Sequence, residues 1–145
     1  MKHFIFTTIL FATLLMANAL QFQQCNGNYP NPIDVTMLPD SPIFGQSVEL
    51  FMSTIAHTTV EVGAYVYILI NNPTWVIPFT YRQDICNENY ITNCPISNYF
   101  SYNYTYYFYN SNEPLTVNAK AMLMNPDDTI LSCVQGDVTI QASVV

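Results

Sequence analysis

Residues 60–70 read VEVGAYVYILI, and this stretch decides the fold. Its period of two is typical of a β-strand that turns one face toward water and the other toward a core. Because Glu61 is charged and should face solvent, the opposite face is predicted to carry a row of apolar side chains. That row consists of Val62, Ala64, Val66, Ile68 and Ile70.

The same short alternating runs continue on both sides of this stretch, separated by Pro, Asn, Asp and Gly. The predicted strands cover residues 33–38, 46–55, 60–70, 74–81, 99–109, 115–124 and a last strand over 129–134 and 138–144, bent at 135–136. Asn125-Pro126-Asp127-Asp128 is predicted to form a hairpin turn. About seven antiparallel strands in two sheets predict an all-β, immunoglobulin-like sandwich.

Four cysteines lie in the part of the chain that forms these strands. They allow three pairings, and the spacing favours Cys86–Cys94 as a local bond with Cys25–Cys133 joining the two ends. In the loop-entropy model the first bond constrains the unfolded chain by about 2.5 kcal/mol and the second by about 5 kcal/mol. Disulfides of this kind persist in oxidising compartments.

The first residues resemble a secretory signal peptide. Lys2 and His3 precede an apolar run over residues 4–16, and Ala17-Asn18-Ala19 matches a small-residue cleavage site. We therefore expect residues 1–19 to be removed and residues 20–145 to form one domain. The expected location is outside the cell or in an endosomal or lysosomal lumen.

The charge balance limits the classes of partner. The chain has three Lys and Arg residues against ten Asp and Glu residues, which gives a net charge of −7. Nucleic-acid binding needs a basic surface, so we exclude it. The same charge argues against tight electrostatic docking on anionic lipid surfaces at neutral pH.

The sequence shows no arrangement that points to catalysis or to a resident metal. His57 is the only histidine after the leader, it lies in a Thr-rich turn, and spacing identifies no partner for it. No nucleophile motif, zinc motif or phosphate-binding glycine loop is present. We expect a protein that is not an enzyme and that has no catalytic residue, no metal site and no cofactor.

Asn103-Tyr104-Thr105 is a usable glycosylation sequon, whereas Asn72-Pro73-Thr74 is blocked by its proline. A glycan on Asn103 must face solvent. The alternating positions of the same strand are then predicted to share its inner face. They are Tyr102, Tyr104, Tyr106 and Phe108.

Three groups of residues carry a resemblance to a known family. They are Val76-Ile77-Pro78-Phe79 with Asp84-Ile85-Cys86 and Cys94-Pro95-Ile96, then Gly63-Ala64-Tyr65-Val66, and finally residues 129–133 followed by 137–140. In this order they resemble the ML family of MD-2-related and Niemann–Pick C2-like lipid-recognition proteins. The similarity extends over the chain from Cys25 onward, and the branch it resembles most is that of phosphatidylglycerol/phosphatidylinositol transfer proteins.

The resemblance implies a sandwich whose sheets part and enclose a lipid, with Cys86–Cys94 beside the cavity mouth and Cys25–Cys133 joining the ends. The implied lining is Val62, Ala64, Val66, Ile68, Tyr102, Tyr104, Tyr106, Phe108, Val117, Ala119 and Leu123. The implied mouth is Trp75, Ile77, Phe79, Pro95, Ile96 and Tyr99. Arg82 is expected to meet a lipid head group or, alternatively, to pair with Asp84 on the surface.

Non-enzymatic lipid binding and transfer between membranes is the function that the resemblance implies. The expected partners are a phosphatidylglycerol or phosphatidylinositol ligand, or a sterol as second choice, with transient membrane contact and a monomeric protein. The alternative is a secreted protein-interaction module without lipid cargo. A large apolar cavity would favour the carrier, and a filled core with an exposed aromatic patch would favour the module.

Overall fold

The computed structural model describes residues 22–87 and 93–143. The predicted signal peptide lies outside these residues. Eight strands form, and all of their pairings are antiparallel. The strands are β1 (Gln23–Gln24), β2 (Ile33–Leu38), β3 (Ser47–Ile55), β4 (Tyr65–Asn71), β5 (Phe79–Asp84), β6 (Tyr99–Tyr107), β7 (Leu115–Met124) and β8 (Ile130–Ile140).

The strands form two sheets that pack on each other. Sheet A has the order β1-β8-β7-β4-β5, and sheet B has the order β2-β3-β6. Apolar side chains from both sheets meet in one core, for example Val66 and Leu123 of sheet A with Met52 of sheet B. The predicted all-β, immunoglobulin-like sandwich is confirmed.

Alternation along the strands explains which side chains form the core. In β6, Tyr102 is buried and Asn103 is exposed, and in β7, Val117 is buried and Asn118 is exposed. Since successive side chains point to opposite faces, one buried position fixes the orientation of the whole strand. The inward direction predicted for Tyr102 and Val117 is therefore confirmed, whereas Tyr106, also predicted to face inward, is 40 % exposed near the end of β6.

The strand predicted over residues 60–70 begins later than expected, at Tyr65. Gly63 adopts a φ of 87°, which a side chain disfavours, and the chain turns there instead of continuing a strand. Val62 precedes this turn and is 63 % exposed, so its predicted inward direction is wrong. Ala64 and Val66 follow the turn and are buried as expected.

The bounds of β5 and the course of β8 also differ from the prediction. β5 starts at Phe79 instead of residue 74, because Pro78 has no N–H to donate to a ladder. β8 runs unbroken through residues 135–136, and its irregularity lies at the other end, opposite Leu123 and Met124. β1 was not predicted, because two residues carry no periodic signal.

Both expected disulfides are present, and they join different parts of the sandwich. Cys25 and Cys133 have Cα atoms 5.3 Å apart, and Cys86 and Cys94 have Cα atoms 5.7 Å apart. The first bond fixes the segment after β1 to β8. The second closes the connection between β5 and β6, so it lies at the end of the sandwich where β4 begins.

The predicted hairpin turn between β7 and β8 is confirmed, and its Asn125 is a buried polar anchor. The Asn125 side chain donates to the carbonyl of Thr59 at 3.1 Å and accepts from the N–H of Glu61 at 3.0 Å. Asp128 takes the positive φ of 67° that closes the turn. These bonds hold the segment before β4 in place, which positions Ala64 and Val66 over the core.

Candidate functional site

A small apolar void lies between the two sheets. Its volume is about 10 Å³, and its lining contains side chains from both sheets. The lining residues are Ile33, Val35, Met52, Val66, Ala121, Met122, Leu123 and Val134. Of the lining that the sequence predicted, Val66 and Leu123 border this void.

Small residues lie on the inner face of sheet A, and Ala121 among them borders the void. Ala119 pairs with Gly136 across β7 and β8, and Ala121 pairs with Val134 in the next inward row. On the other side of the void, sheet B contributes Ile33 and Val35 of β2 and Met52 of β3.

The void is too small to hold a lipid in this conformation. A space of about 10 Å³ holds about one water, whereas ligand pockets measure roughly 300–1,000 Å³. The expectation of an open cavity between the sheets is therefore wrong for this conformation. Met52 and Leu123 are buried to within a few per cent and bring the two layers into contact.

The two sides of the sandwich differ in how firmly the sheets are joined. On one side the N–H of Asn31, just before β2, donates to the carbonyl of Leu131 in β8 at 2.9 Å. Gln24 of β1 also donates from its side chain to the carbonyl of Ile33 at 2.5 Å. These bonds cross from sheet A to sheet B, so this side acts as a fixed edge.

On the other side, β5 and β6 are edge strands of different sheets, so no ladder hydrogen bonds join them. Tyr104 of β6 donates from its hydroxyl to the hydroxyl of Tyr81 in β5 at 3.3 Å, and their ring centroids are 6.1 Å apart. The Tyr81 hydroxyl in turn donates to Gln83 at 2.6 Å. We call this side the tyrosine seam, defined by Tyr81, Gln83 and Tyr104.

The hydroxyl of Tyr104 in the tyrosine seam stays protonated. The hydrogen bond to Tyr81 is the main factor that raises the pKa of Tyr104, and burial adds to it. Tyr104 therefore keeps its proton through the physiological pH range and remains a donor. Side-chain contacts, not backbone ladders, therefore close the seam.

The residues predicted to form one mouth lie at two opposite ends of the sandwich. Phe79 pairs with Ile70 at the end of β4, and the loop that carries Trp75 and Ile77 lies there as well. Ile96 bridges to Val60 before β4 begins, on the far side of that strand. Pro95 and Tyr99 accompany Ile96, which is itself buried in the core. The prediction of a single mouth is therefore wrong.

The β4–β5 loop presents apolar side chains on a well-anchored backbone. Val76 is 97 % exposed and Ile77 is 78 % exposed, and Trp75 and Phe79 are partly exposed beside them. Buried Asn72 holds the loop, because its side chain donates to the carbonyl of Thr116 at 2.7 Å and its carbonyl accepts from the N–H of Trp75. We call Trp75, Val76, Ile77 and Phe79 the apolar loop.

Arg82 lies on the outer face of sheet A. Its guanidinium is 3.7 Å from the ring centroid of Tyr65, and its Nε is 3.3 Å from the Asp84 carboxylate. The Tyr65 hydroxyl donates to Asp128, and this bond is the largest factor that raises the pKa of Tyr65. Arg82 therefore has the surface pairing with Asp84 that was its alternative role, and it points away from the space between the sheets.

Comparisons with known proteins agree with this geometry. A family model described as the ML domain matches residues 19–140. The chain belongs to the ML-domain family. A search of curated proteins finds no match.

Two solved structures share the ML fold with this chain. The Niemann–Pick type C2 protein from the Japanese carpenter ant superposes with a TM-score of 0.63 at 17 % identity, over 83 % of this chain and 98 % of that chain. Chicken MD-1 complexed with lipid IVa superposes with a TM-score of 0.54 at 9 % identity, over 83 % of this chain and 87 % of that chain. ML-domain membership supports lipid binding as the general function, in a family of non-catalytic proteins.

The predicted site residues lie in three places in the sandwich. Ala64, Val66, Ile68, Ile96, Tyr102, Tyr104 and Leu123 belong to the core cluster around the void. Phe108, Val117 and Ala119 belong to a second cluster at the end where β4 finishes. The surface carries Val62, Trp75, Ile77, Phe79, Pro95, Tyr99 and Tyr106.

Part of the void lining was not predicted from the sequence. Ile33 and Val35 alternate along β2, and neither they nor Met52 and Ala121 were assigned to the lining. The alternation of β2 was the available signal. What alternation cannot supply is which inward residues of one sheet face which residues of the other.

The described residues show neither a metal cluster nor a membrane-spanning helix. Within residues 22–87 and 93–143, no three His, Cys, Asp or Glu side chains lie close enough to hold a metal ion. His57 is exposed in its turn. No helix in the same ranges has the length and apolar character needed to cross a bilayer.

Proposed function

We propose that this ML-domain protein is a non-enzymatic carrier that binds a lipid between its two sheets and transfers it between membranes. The proposed cargo is phosphatidylglycerol or phosphatidylinositol, with a sterol as the second choice. The observation that carries the proposal is the apolar void between the sheets, bordered by Val66, Ala121 and Leu123 of sheet A and by Ile33, Val35 and Met52 of sheet B. The proposed location is secreted or lumenal, in keeping with the two disulfides.

Such a carrier must keep the hydrocarbon chains of its lipid out of water. At about 0.8 kcal/mol per CH₂, moving one sixteen-carbon chain into water costs on the order of 12 kcal/mol. An apolar space between two sheets removes most of that cost without covalent chemistry. A carrier needs no catalytic residue for this.

The void must widen before a lipid fits, and the tyrosine seam is where we propose that it does. Separation at the seam breaks the hydrogen bond from Tyr104 to Tyr81 but leaves both sheets intact. The opposite side stays joined through the hydrogen bonds of Asn31 to Leu131 and of Gln24 to Ile33. Met52 has a flexible side chain that can repack around a guest.

Transfer also requires contact with a bilayer, and the apolar loop is suited to it. Residues 71–81 contain no charged side chain, so the loop can enter a lipid interface without burying an ion. Trp75 has an amphipathic ring of the kind enriched at membrane interfaces. Because the whole chain is acidic, we propose zwitterionic or neutral lipid surfaces as the preferred docking partner at neutral pH.

A vesicle-to-vesicle assay tests this function. Donor vesicles carry a fluorescent phosphatidylglycerol with a quencher, and acceptor vesicles carry neither. We expect the protein to raise the rate of dequenching in proportion to its concentration, while reduced and unfolded protein has no effect. A rate equal to spontaneous exchange with phosphatidylglycerol, phosphatidylinositol and sterol probes alike would contradict the carrier function.

A second candidate function rests on a specific observation. The core is nearly filled, and exposed aromatic side chains such as Tyr99 and Tyr107 lie on the surface. That combination is what we expected of a protein-interaction module without lipid cargo. A protein that binds no lipid in the vesicle assay and yet forms a stoichiometric complex with another extracellular protein would favour this candidate.

A further inference from the structure

The edge of β6 lacks the protection that the other long edge strands carry. Sheet A ends in β5, which follows Pro78 and contains Arg82 and Asp84, and sheet B ends on one side in β2, which contains Asp34. Charges and prolines on edges prevent strands of other molecules from pairing there. β6 is nine residues long, and YFSYNYTYY contains neither a charge nor a proline.

The register shows which backbone groups of β6 face this open edge. The N–H of Phe108 donates to the backbone carbonyl of Gln46 at 3.1 Å. In the register of the two strands, the even-numbered residues of β6 therefore exchange hydrogen bonds with β3. In an antiparallel ladder the odd-numbered residues then point their N–H and C=O groups the other way. The outward-facing positions are Ser101, Asn103 and Thr105, in the middle of the strand.

We propose that the β6 edge is a self-association surface, on which β6 of a second copy pairs antiparallel about Asn103, and that a glycan on Asn103 blocks this pairing. A second copy is the occupant that the charge pattern favours. Each copy carries a net charge of −7, which repels another copy over most of the surface. Residues 93–112 contain no charged side chain, so two β6 edges can approach without that repulsion.

The strand is self-complementary in this register. Pairing about Asn103 places Ser101 of one copy opposite Thr105 of the other, and three outward-facing pairs supply about six backbone hydrogen bonds. The same register brings Tyr99 of one copy opposite Tyr107 of the other at both ends. These rings are 61 % and 50 % exposed in the single chain, and cross-strand aromatic pairing would cover them. The interface has the two-fold symmetry of a closed dimer.

The sequon lies at the centre of this interface. Asn103 is the middle residue of β6, and its side chain is exposed on the outer face of sheet B. On the two-fold axis the Cα atoms of the two Asn103 residues would be about 5.5 Å apart, the spacing of a hydrogen-bonded antiparallel pair. Two glycans cannot fit side by side at that distance. Glycosylation therefore selects the monomer, and its absence permits the dimer.

The test compares the natural chain with Thr105→Val, which removes the sequon but keeps Asn103, both secreted from a glycosylating host. Sedimentation velocity should show a glycosylated monomer for the natural chain and a dimer for Thr105→Val. Adding Ser101→Lys to Thr105→Val should weaken the dimer by about tenfold or more, because charge on an edge opposes pairing. Ser53→Lys in the same background is the matched control, since Ser53 neighbours Ser101 but lies in the central strand β3, and it should leave the dimer intact.

Amide hydrogen exchange locates the interface. In the Thr105→Val dimer the amides of Ser101 and Asn103 should gain protection relative to Thr105→Val with Ser101→Lys. A monomeric Thr105→Val protein overturns the proposal, as does a dimer that Ser101→Lys does not weaken or whose protection lies in the apolar loop. If the natural chain carries no glycan, it must itself dimerise, and an unglycosylated monomer overturns the proposal equally.

Discussion

For Arg82 the structure supports surface pairing with Asp84 and not contact with a lipid head group. The strand pairing puts its guanidinium over the ring of Tyr65 on the outer face, with Asp84 as its ion pair. We therefore expect Arg82→Ala to change phosphatidylglycerol and sterol binding by equal and small factors. The free energy of unfolding should fall by less than about 1 kcal/mol, since the side chains of Arg82 and Asp84 are both more than half exposed and water screens their ion pair. Binding titrations with both lipids and urea unfolding check this; a selective loss of phosphatidylglycerol binding would restore the head-group role.

Asp127 makes the stability that the β7–β8 turn contributes dependent on pH. Its carboxylate accepts the N–H of Thr129 at 3.0 Å, and this bond is the largest factor that lowers its pKa from 3.8. A carboxyl whose pKa is lower in the folded state stabilises the fold above its unfolded pKa and loses that contribution as pH falls through the folded value.

We therefore predict that Asp127→Ala lowers the melting temperature by a constant amount from pH 8 to about pH 5, and that the difference shrinks below about pH 3. Thermal unfolding of both proteins across this range measures it. A difference that grows as the pH falls would contradict the assigned bond.

At the scale of elements, the apolar loop is the part whose role in transfer can be separated from stability. Val76 and Ile77 project from a backbone that Asn72 anchors, so aspartate at both positions should leave the fold intact. We predict that Val76→Asp with Ile77→Asp slows vesicle-to-vesicle transfer by about tenfold or more, while affinity for lipid presented in detergent is unchanged. Val62→Asp, at another exposed apolar position near the other end of β4, is the control and should transfer normally. An equal loss in both variants would remove the loop from the docking role.

The elements also show what the sequence could and could not predict. Strands β2 and β7 have the predicted bounds, because Pro and Asn turns flank clear alternation on both sides. The start of β4 was misplaced, since alternation alone does not reveal that Gly63 takes a positive φ. The single mouth was wrong because residues near in sequence to Cys86 and Cys94 lie at both ends of β5. The size of the void depends on how the volumes of two sheets match, which no local pattern encodes.

For the whole molecule, the two disulfides should differ in their contribution to stability. The bond from Cys25 to Cys133 closes a separation of 108 residues, and that from Cys86 to Cys94 closes 8. The loop-entropy model gives about 5 and about 2.5 kcal/mol for their loss. We predict this order for the paired serine variants in urea unfolding. Equal losses, or a larger loss from the local bond, would show that native packing, not chain entropy, determines the difference.

The central claim is that the sheets part at the void and admit one lipid. Native mass spectrometry after incubation with phosphatidylcholine vesicles that contain a minor fraction of phosphatidylglycerol tests it, with Ala121→Phe to fill the void and Thr80→Phe on the outer face as the matched control. We expect the mass of the natural protein and of Thr80→Phe to increase by one phospholipid per chain. The mass of Ala121→Phe should be that of the protein without lipid. No lipid adduct on the natural protein, or the same adduct on all three proteins, would contradict it.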